Sequence, residues 1–448
     1  MASLTRNEIA LSLGLAFALS SVAIADETPS TALAVEQKAQ GPKVDEKTGK
    51  TGKKDKTEPE GWHRSGFGFA SGNSKIELEG YIQEDFRRFS WAPKGGTVAN
   101  LAAERELKRL RIGVTGNLDK LTFEFQADPR TSQAPGRLKD VTLGYKFAKG
   151  ANLLAGHFKP SFSQEFLTSA GKTDFVDRTM ISHELGADRD WGVGLSGEIG
   201  KFLYSVGGFG GDGNARTQRS KSSGAGRLRY QPIKGFLISV NMMQGNVEPD
   251  PIAPDGTQPS AKSARGQTPT GFKFFDRVHV KGVRRRSGSD LSYSRGPFRL
   301  QAEYIQNQEQ RKGQGSTGQD IPDVRGSGWS AQASYVLTGE KKGSTVNPEK
   351  SVFNGGRGAL EIVARYETLK FDDTGDQTGF AGYGSRSRNI ALSQGSIIEA
   401  GANYWVSNFL KFQGDAIWES YNDPLIPPVP GNTGRYFTLV GRIQVTIP

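Results

Sequence analysis

From about residue 75 to the end, the sequence keeps a period of two. Ile76, Leu78, Gly80 and Ile82 alternate with Lys75, Glu77, Glu79, Tyr81 and Gln83. Leu121, Phe123 and Phe125 alternate with Thr122, Glu124 and Gln126, and Phe298, Leu300, Ala302 and Tyr304 with Arg299, Gln301 and Glu303. Successive side chains of a strand point to opposite faces, so this pattern describes strands with one apolar and one polar face. The spacing predicts sixteen such segments: 75–86, 106–116, 121–128, 138–147, 152–159, 190–199, 202–209, 225–231, 235–243, 280–293, 298–307, 328–338, 357–369, 396–405, 409–420 and 435–447. Most lengths are near the ~9–11 residues that a tilted strand needs to cross a bilayer.

The connections between segments carry more information than the strands. Links such as Gly116 to Lys120, Ala148 to Ala151, Gly200-Lys201, Ser294 to Pro297 and Val406 to Asn408 are tight. The links at 87–105, 160–189, 210–224, 244–279, 308–327, 370–395 and 421–434 are longer. Alternation of short periplasmic turns with long external loops is the habit of outer-membrane barrels. The link 339–356 breaks it, falling where a short turn belongs. A soluble β-sandwich would also alternate, but it does not need every second connection to be tight. It would also bury its apolar rows. Here the opposite rows are charged on nearly every strand, which calls for a water-filled interior and a lipid-facing exterior. A sheet in lipid must close, because an open edge leaves backbone groups unpaired in hydrocarbon. The fold class is therefore all-β, a transmembrane antiparallel barrel of about sixteen strands. Tyr145, Phe147, Trp191, Tyr230, Trp329, Tyr335, Tyr404, Trp405 and Trp418 lie near segment ends and are expected to form interfacial girdles.

Composition agrees. Only 35% of residues are hydrophobic and 58 of 448 are glycine, too little apolar content for several packed cores. A barrel giving one residue in two to lipid needs no such cores. No cysteine is present, which excludes disulfides and thiolate metal sites. The net charge is +11, from 58 basic and 47 acidic residues, and favours acidic partners.

The start of the chain reads as an address. Ile9 to Leu19 is apolar, and Ala23-Ile24-Ala25 is a small-x-small site, so residues 1–25 are expected to be a signal peptide cleaved before Asp26. Residues 26–60 are rich in Lys, Glu, Asp, Thr and Pro, and are expected to be a disordered periplasmic tether preceding a barrel at 61–448. The balanced charge of that tether argues against nucleic acid.

Several stretches are similar to the phosphate-selective porin O/P family: LKRLRIGVTG at 107–116, LKDVTLGY at 138–145, AGHFKPSFSQEFLT at 155–168, DRDWGVGLSG at 188–197, GWSAQASYVLTGE at 328–340 and GALEIVARY at 358–366. The resemblance runs from about residue 61 to the C-terminus. It implies a porin-like, sixteen-stranded barrel in the bacterial outer membrane, commonly a homotrimer, passing small anions through a basic constriction. Phosphate specialists are strongly basic there. In this chain the candidate constriction loop, 157–190, carries four basic residues (Lys159, Lys172, Arg178 and Arg189) and six acidic ones (Glu165, Asp174, Asp177, Glu184, Asp188 and Asp190), a sum of −2. That loop alone does not predict phosphate selectivity.

Candidate pore-lining residues lie on the polar rows. Arg109 and Arg111, Arg227 and Arg229, and Arg284 and Arg286 are pairs spaced by two, so each pair shares a face. A guanidinium is permanently charged and its fork matches phosphate or carboxylate oxygens. Rows of them would bias a pore toward anions. Lys159, Lys172 and Arg178 join them from the long loop 160–189, which is long enough to fold inward. The plainer reading is that such arginines pair with wall acids, among them Glu303, Glu361, Glu367, Glu399 and Asp415, and only brace the lumen. Arg285, between Arg284 and Arg286, should face outward at an interface. His157 alternates onto the lumen face.

Two G-x-G-x-x-G matches, at 192–197 and 208–213, fall in a strand and at a loop opening rather than between a strand and a helix, so they are not nucleotide fingerprints. The four histidines have no metal-ligand spacing, and no nucleophile elbow is present. No cofactor, metal or catalytic site is expected, and the chain is not read as an enzyme. The expected function is a passive diffusion channel for small solutes and ions with anion preference, phosphate being one candidate. Its partners are outer-membrane lipid and further copies of itself, not nucleic acid. The competing reading is a structural sheath that holds a partner and does not conduct.

Overall fold

The computed structural model describes residues 61–62, 67–89, 104–130, 137–148, 150–211, 222–249, 262–271, 273–275, 277–314, 318–372, 393–421 and 434–447. The predicted signal peptide and tether lie outside these residues. Among the described residues one antiparallel sheet closes on itself: sixteen strands form the wall, and two short ones, Gly61–Trp62 and Gly68–Ser71, pair in turn beside the start of the first. We number the wall strands β1 (Ser74–Phe89), β2 (Glu104–Leu118), β3 (Leu121–Ala127), β4 (Leu138–Ala148), β5 (Ala151–Phe158), β6 (Asp190–Ile199), β7 (Phe202–Phe209) and β8 (Ser223–Tyr230). The second half comprises β9 (Phe236–Val247), β10 (Gly282–Arg295), β11 (Phe298–Arg311), β12 (Ile321–Val336), β13 (Ala359–Asp372), β14 (Ser393–Trp405), β15 (Leu410–Tyr421) and β16 (Gly434–Ile447). Each of the sixteen predicted segments becomes one of them. Every neighbouring pair is antiparallel, and β16 closes on β1 with Val440 opposite Arg87 and Ile443 opposite Glu84. Closure leaves no edge strand, which lipid requires.

The outward rows carry the apolar residues. Ile76, Leu78, Ile82, Ile112, Leu143, Val193, Val206, Val240, Met242, Ile362 and Ile398 are all exposed. Tight turns alternate with long loops, and by the barrel rule the turns mark the periplasmic side. Gly200 and Gly296 take left-handed φ of 59° and 55° in two of these turns, where a two-residue reversal needs that conformation.

Three expectations need correction, and the overlong link gains an explanation. His157 does not face the lumen. It stands opposite outward Trp191 in the β5–β6 ladder, its ring 5.4 Å from the indole, with Nδ1 2.6 Å from the Lys139 carbonyl. Trp405 is not part of a girdle, since it is buried on the inner side beneath the ammonium groups of Lys342 and Lys411. The overlong link between β12 and β13, residues 337–358, is not a loose loop. It carries Lys342 into the barrel and packs Val346 against Val336, Ala359 and Trp405.

The third correction concerns the interior, which is not simply water-filled. The third long loop, 159–189 (loop 3), and the described parts of the fifth, 262–281 (loop 5), fold inward. Phe162, Val176, Met180, Ile181 and Leu185 of loop 3 join Phe274, Phe275 and Val278 of loop 5 in a buried apolar cluster. Ile305, Leu369, Phe371, Ile397 and Ile417 receive it from the wall. Small inward residues make room: a Cβ on Gly328 would lie 2.5 Å from Ile181, and one on Gly395 2.8 Å from the Phe274 ring.

Candidate functional site

Loop 3 leaves β5 and turns at Ser163, a non-glycine residue with φ of 65° that costs about 1 kcal/mol or more. Its hydroxyl caps a one-turn helix, α1 (Gln164–Leu167), by accepting from the Phe166 N–H at 3.2 Å. A second short helix, α2 (Met180–Leu185), is capped by Thr179 and buries Met180, Ile181 and Leu185.

Carboxylates of the wall hold these loops by their backbone. Glu303 on β11 accepts from the Gln164 N–H at 2.7 Å, and Glu367 on β13 from the Met180 N–H at 2.6 Å. Asp415 on β15 accepts from the Val176 N–H at 2.7 Å. Glu309 on β11 does the same for loop 5, accepting from the Ala264 N–H at 2.8 Å. A hydrogen bond contributes about 0.5–1.5 kcal/mol net, and these four tie both loops to the wall at fixed points. Arginines add further anchors. Arg442 donates to Asp85 at 2.6 and 2.8 Å and to the Val176 carbonyl at 2.6 Å. Arg87 pairs with Asp177 at 2.8 Å, and Arg189 with Asp140 at 2.6 Å. Asp174 is gripped by Arg299 and by Lys342, whose ammonium lies 2.7 Å away. Against the upward push of burial, those two cations hold the Asp174 carboxyl below the usual range. Arg265 of loop 5 reaches Glu184 of loop 3 at 3.0 Å, so the two inserts brace one another.

The inner rows now divide. On β10 to β15 the inward polar side chains Asp290, Glu303, Glu309, Glu361, Arg365, Glu367, Glu399 and Lys411 are all buried. On β1 to β3 the inward Glu77, Glu79, Arg109, Arg111, Thr122, Glu124 and Gln126 are half-exposed. Further along β1 the inward Gln83, Asp85 and Arg87 are buried against loop 3, so solvent reaches the inner face chiefly among the half-exposed side chains of β1 to β3.

The nine basic residues selected from the sequence fall into distinct settings. Arg109 donates to the Gln83 side-chain carbonyl at 2.9 Å, and among the described residues it has no carboxylate within 4 Å. Arg178 donates to the Glu165 carbonyl at 3.2 Å and to the Thr168 carbonyl, its guanidinium 5.4 Å from the Phe166 ring. It too lacks a carboxylate partner among the described residues. Arg109 and Arg178 are close enough to repel one another, and Arg111 is close to Arg178. Arg111 shares Asp128 at 3.3 Å and donates to Gln126 at 3.3 Å. Lys172 is half-buried beside Glu79 and Glu124; burial outweighs their pull and lowers its ammonium to about 8. Lys159 is buried at the root of loop 3, donating to the Phe166 carbonyl. Burial, with Arg178 and Arg189 nearby, pushes it well down.

The other pairs lie away from this group. Arg227 is buried and bonds Asp290 at 2.9 Å and Ser239 at 3.2 Å, with Gln164 of loop 3 alongside. Arg229, one alternation further along β8, is also buried. Arg284 bonds Glu309 at 2.5 Å and the Lys262 carbonyl at 2.6 Å, clamping loop 5. Arg286 lies 3.4 Å from the Met243 sulfur. The structure thus brings Arg109 and Arg111 within reach of Arg178, sets Lys172 beside Glu79 and Glu124, and buries the arginines of β8 and β10. Sequence reasoning passed over Lys342 and Gln83, and counted Asp174 only in the charge sum of the loop. Only Lys342 had a signal, the anomalous length of its link. Among the described residues no group of three or more His, Asp or Glu side chains could hold a metal ion.

Residues 76–445 match the model of the family described as phosphate-selective porin O and P, and the chain belongs to that family. It is accordingly an outer-membrane barrel of the porin class, a transport protein rather than an enzyme. It is 24% identical to Porin O of Pseudomonas aeruginosa over 372 residues, 75% of this chain and 81% of that one. It is 23% identical to an uncharacterized protein of Caulobacter vibrioides over 332 residues, 68% of this chain and 64% of the other, so it spans just under two thirds of that relative. Among solved structures, an anion-selective porin from Comamonas acidovorans superposes with a TM-score of 0.52 at 13% identity, covering 83% of this chain and 99% of that one.

Proposed function

We propose that the protein is a passive diffusion channel for small solutes with a mild preference for anions, its selecting residues being Arg109, Arg111, Lys172 and Arg178. The observation that carries this reading is the state of Arg109 and Arg178. Both are half-exposed on the inner side, and both bond only to neutral oxygens. A guanidinium without a carboxylate partner keeps its field and its free donors for a passing ion. Glu79 and Glu124 are half-exposed on the same inner side, so the bias is modest, and small anions in general are favoured over phosphate alone. The description of the family as phosphate-selective supports the sign of the preference. We read residues 1–25 as an export signal removed before Asp26, 26–60 as a periplasmic tether, and the working unit as a homotrimer.

The test is the reversal potential of the purified barrel in a planar bilayer across a salt gradient, with chloride and then with phosphate. Anion preference that falls in Arg109→Ala and Arg178→Ala supports the reading; cation preference in the unmodified protein overturns it. The filling of one side of the lumen by loops 3 and 5 favours a second reading, a non-conducting sheath. Absence of any conductance would select it.

A further inference from the structure

Two features of the outer wall meet at Gln244. The first is a dent of about 580 Å³ on the lipid-facing side of β5 to β9, bordered by Leu153, Val193, Leu195, Val206, Met242 and Gln244. Its floor is glycine. Gly224 and Gly226 stand opposite outward Gln244 and Met242 in the β8–β9 ladder, and a Cβ on either would find no atom nearer than 3.7 Å. The wall is hollow there because side chains are missing, not because it bends.

The second feature is a basic row. Arg285 faces outward, as its position between Arg284 and Arg286 predicts, and donates through Nε to Gln244 at 3.0 Å. It stands opposite Gln308 on β11, which stands opposite outward Arg325 on β12. Lys370 on β13 is exposed on the same face. Asp323 shares this face and is held by Gln308 at 2.6 Å. Below the row lie Tyr304, Trp329 and Tyr366, all exposed outward, the last two with rings 5.0 Å apart. Arg325 is four residues nearer the external loops than Trp329, and Lys370 four nearer than Tyr366. Four strand residues at ~3.3 Å each, tilted, raise a side chain about 10 Å. An aromatic belt marks the edge of the hydrocarbon, so the cations stand at the level of lipid head groups in the external leaflet.

We propose that this surface is a binding site for one class of lipid in the external leaflet, a multiply acylated lipid bearing phosphate on its head. An acyl chain fills the glycine-floored dent, and the phosphate is held by Arg285, with Arg325 and Lys370 continuing the contact along the rim. Charge decides the occupant. A zwitterionic lipid gains little from three outward cations, and a second copy of the barrel would bring the same cations against its own. Arg285 links the two parts, since the residue it bonds also borders the dent.

The experiment uses native mass spectrometry of the full, detergent-purified barrel with two probes, lipid A and its dephosphorylated form. Retention of lipid A at least tenfold above the dephosphorylated probe is expected. The triple variant Arg285→Ala, Arg325→Ala, Lys370→Ala is expected to lose that tenfold difference. Gly226→Leu, which fills the dent, is expected to weaken both probes. Unchanged ion conductance verifies that each variant is folded. Equal retention of the two probes by the unmodified barrel, or undiminished lipid A retention by the folded triple variant, overturns the proposal. So does a Gly226→Leu variant that breaks an oligomer into single barrels while keeping lipid A, because the dent is then a contact between copies.

Discussion

The ammonium of Lys342, carried by the link between β12 and β13, lies 2.7 Å from the carboxylate of Asp174 in loop 3. It also lies 2.5 Å from Glu361 at the start of β13, and its side chain is fully buried. A connection from the periplasmic end thus reaches the loop that enters from the external end. The extra length of 337–358 is what lets one lysine join the two.

Removing that lysine is expected to loosen loop 3. Lys342→Ala leaves Asp174 with Arg299 alone and Glu361 with its Asn403 hydrogen bond. Breaking a buried pair from one side costs about 3–5 kcal/mol. Single-channel traces should show more frequent transitions between conductance levels than the unmodified protein. Steady, unaltered traces would show that the wall carboxylates suffice.

Two kinds of arginine should separate by experiment. Arg227→Ala strands buried Asp290, and Arg284→Ala strands buried Glu309. Each should lower stability by about 3–5 kcal/mol, read as a lower unfolding midpoint in denaturant, because an uncompensated buried charge remains. Arg109→Ala removes a cation without stranding an acid and should shift the reversal potential while the midpoint moves by less than ~1 kcal/mol equivalent. The opposite assignment of effects would refute the division of the lumen.

Lys172 supplies a pH dependence. Its ammonium is lowered by burial to about 8, so it is charged below that value and neutral above it. Anion preference should therefore fall as pH rises from 7 to 9. The variant Lys172→Gln should show the reduced preference at both values and no step between them. A step that persists in the variant belongs to another group.

The apolar contact beneath α2 should matter to the channel as well. Ile181→Ala opens a cavity against Gly328 and the wall, with a local cost of about 2–5 kcal/mol. Loop 3 should then be cut by protease at lower concentration, and mean conductance should rise. Protection and conductance equal to the parent would place the rigidity of the loop in its hydrogen bonds alone.

The wall was legible because its cause is local. Period-two alternation sets which residues can face lipid, and one slip of register would turn every charge into hydrocarbon. Sixteen segments, the closure they require and the outward turn of Arg285 all follow from this alternation. His157 and Trp405 were misplaced because their sides depend on ladder register and on what folds over them, and neither is a property of spacing.

The interior was not legible. An inward arginine reads the same whether it meets water or a carboxylate, and an alternating strand reads the same whether its inner row is wet or covered. Loops 3 and 5 decide that. They bury the acids of β10 to β15 by giving them backbone N–H groups, and they leave Arg109 and Arg178 half-exposed without an acidic partner. The sequence alone determined a closed barrel and which residues point inward, since strand geometry and the lack of water in lipid permit nothing else. Only the tertiary structure decided which inward charges are paired with an acid and which are not. That choice depends on contacts between residues more than a hundred positions apart, such as Asp174 with Lys342 and Glu303 with Gln164.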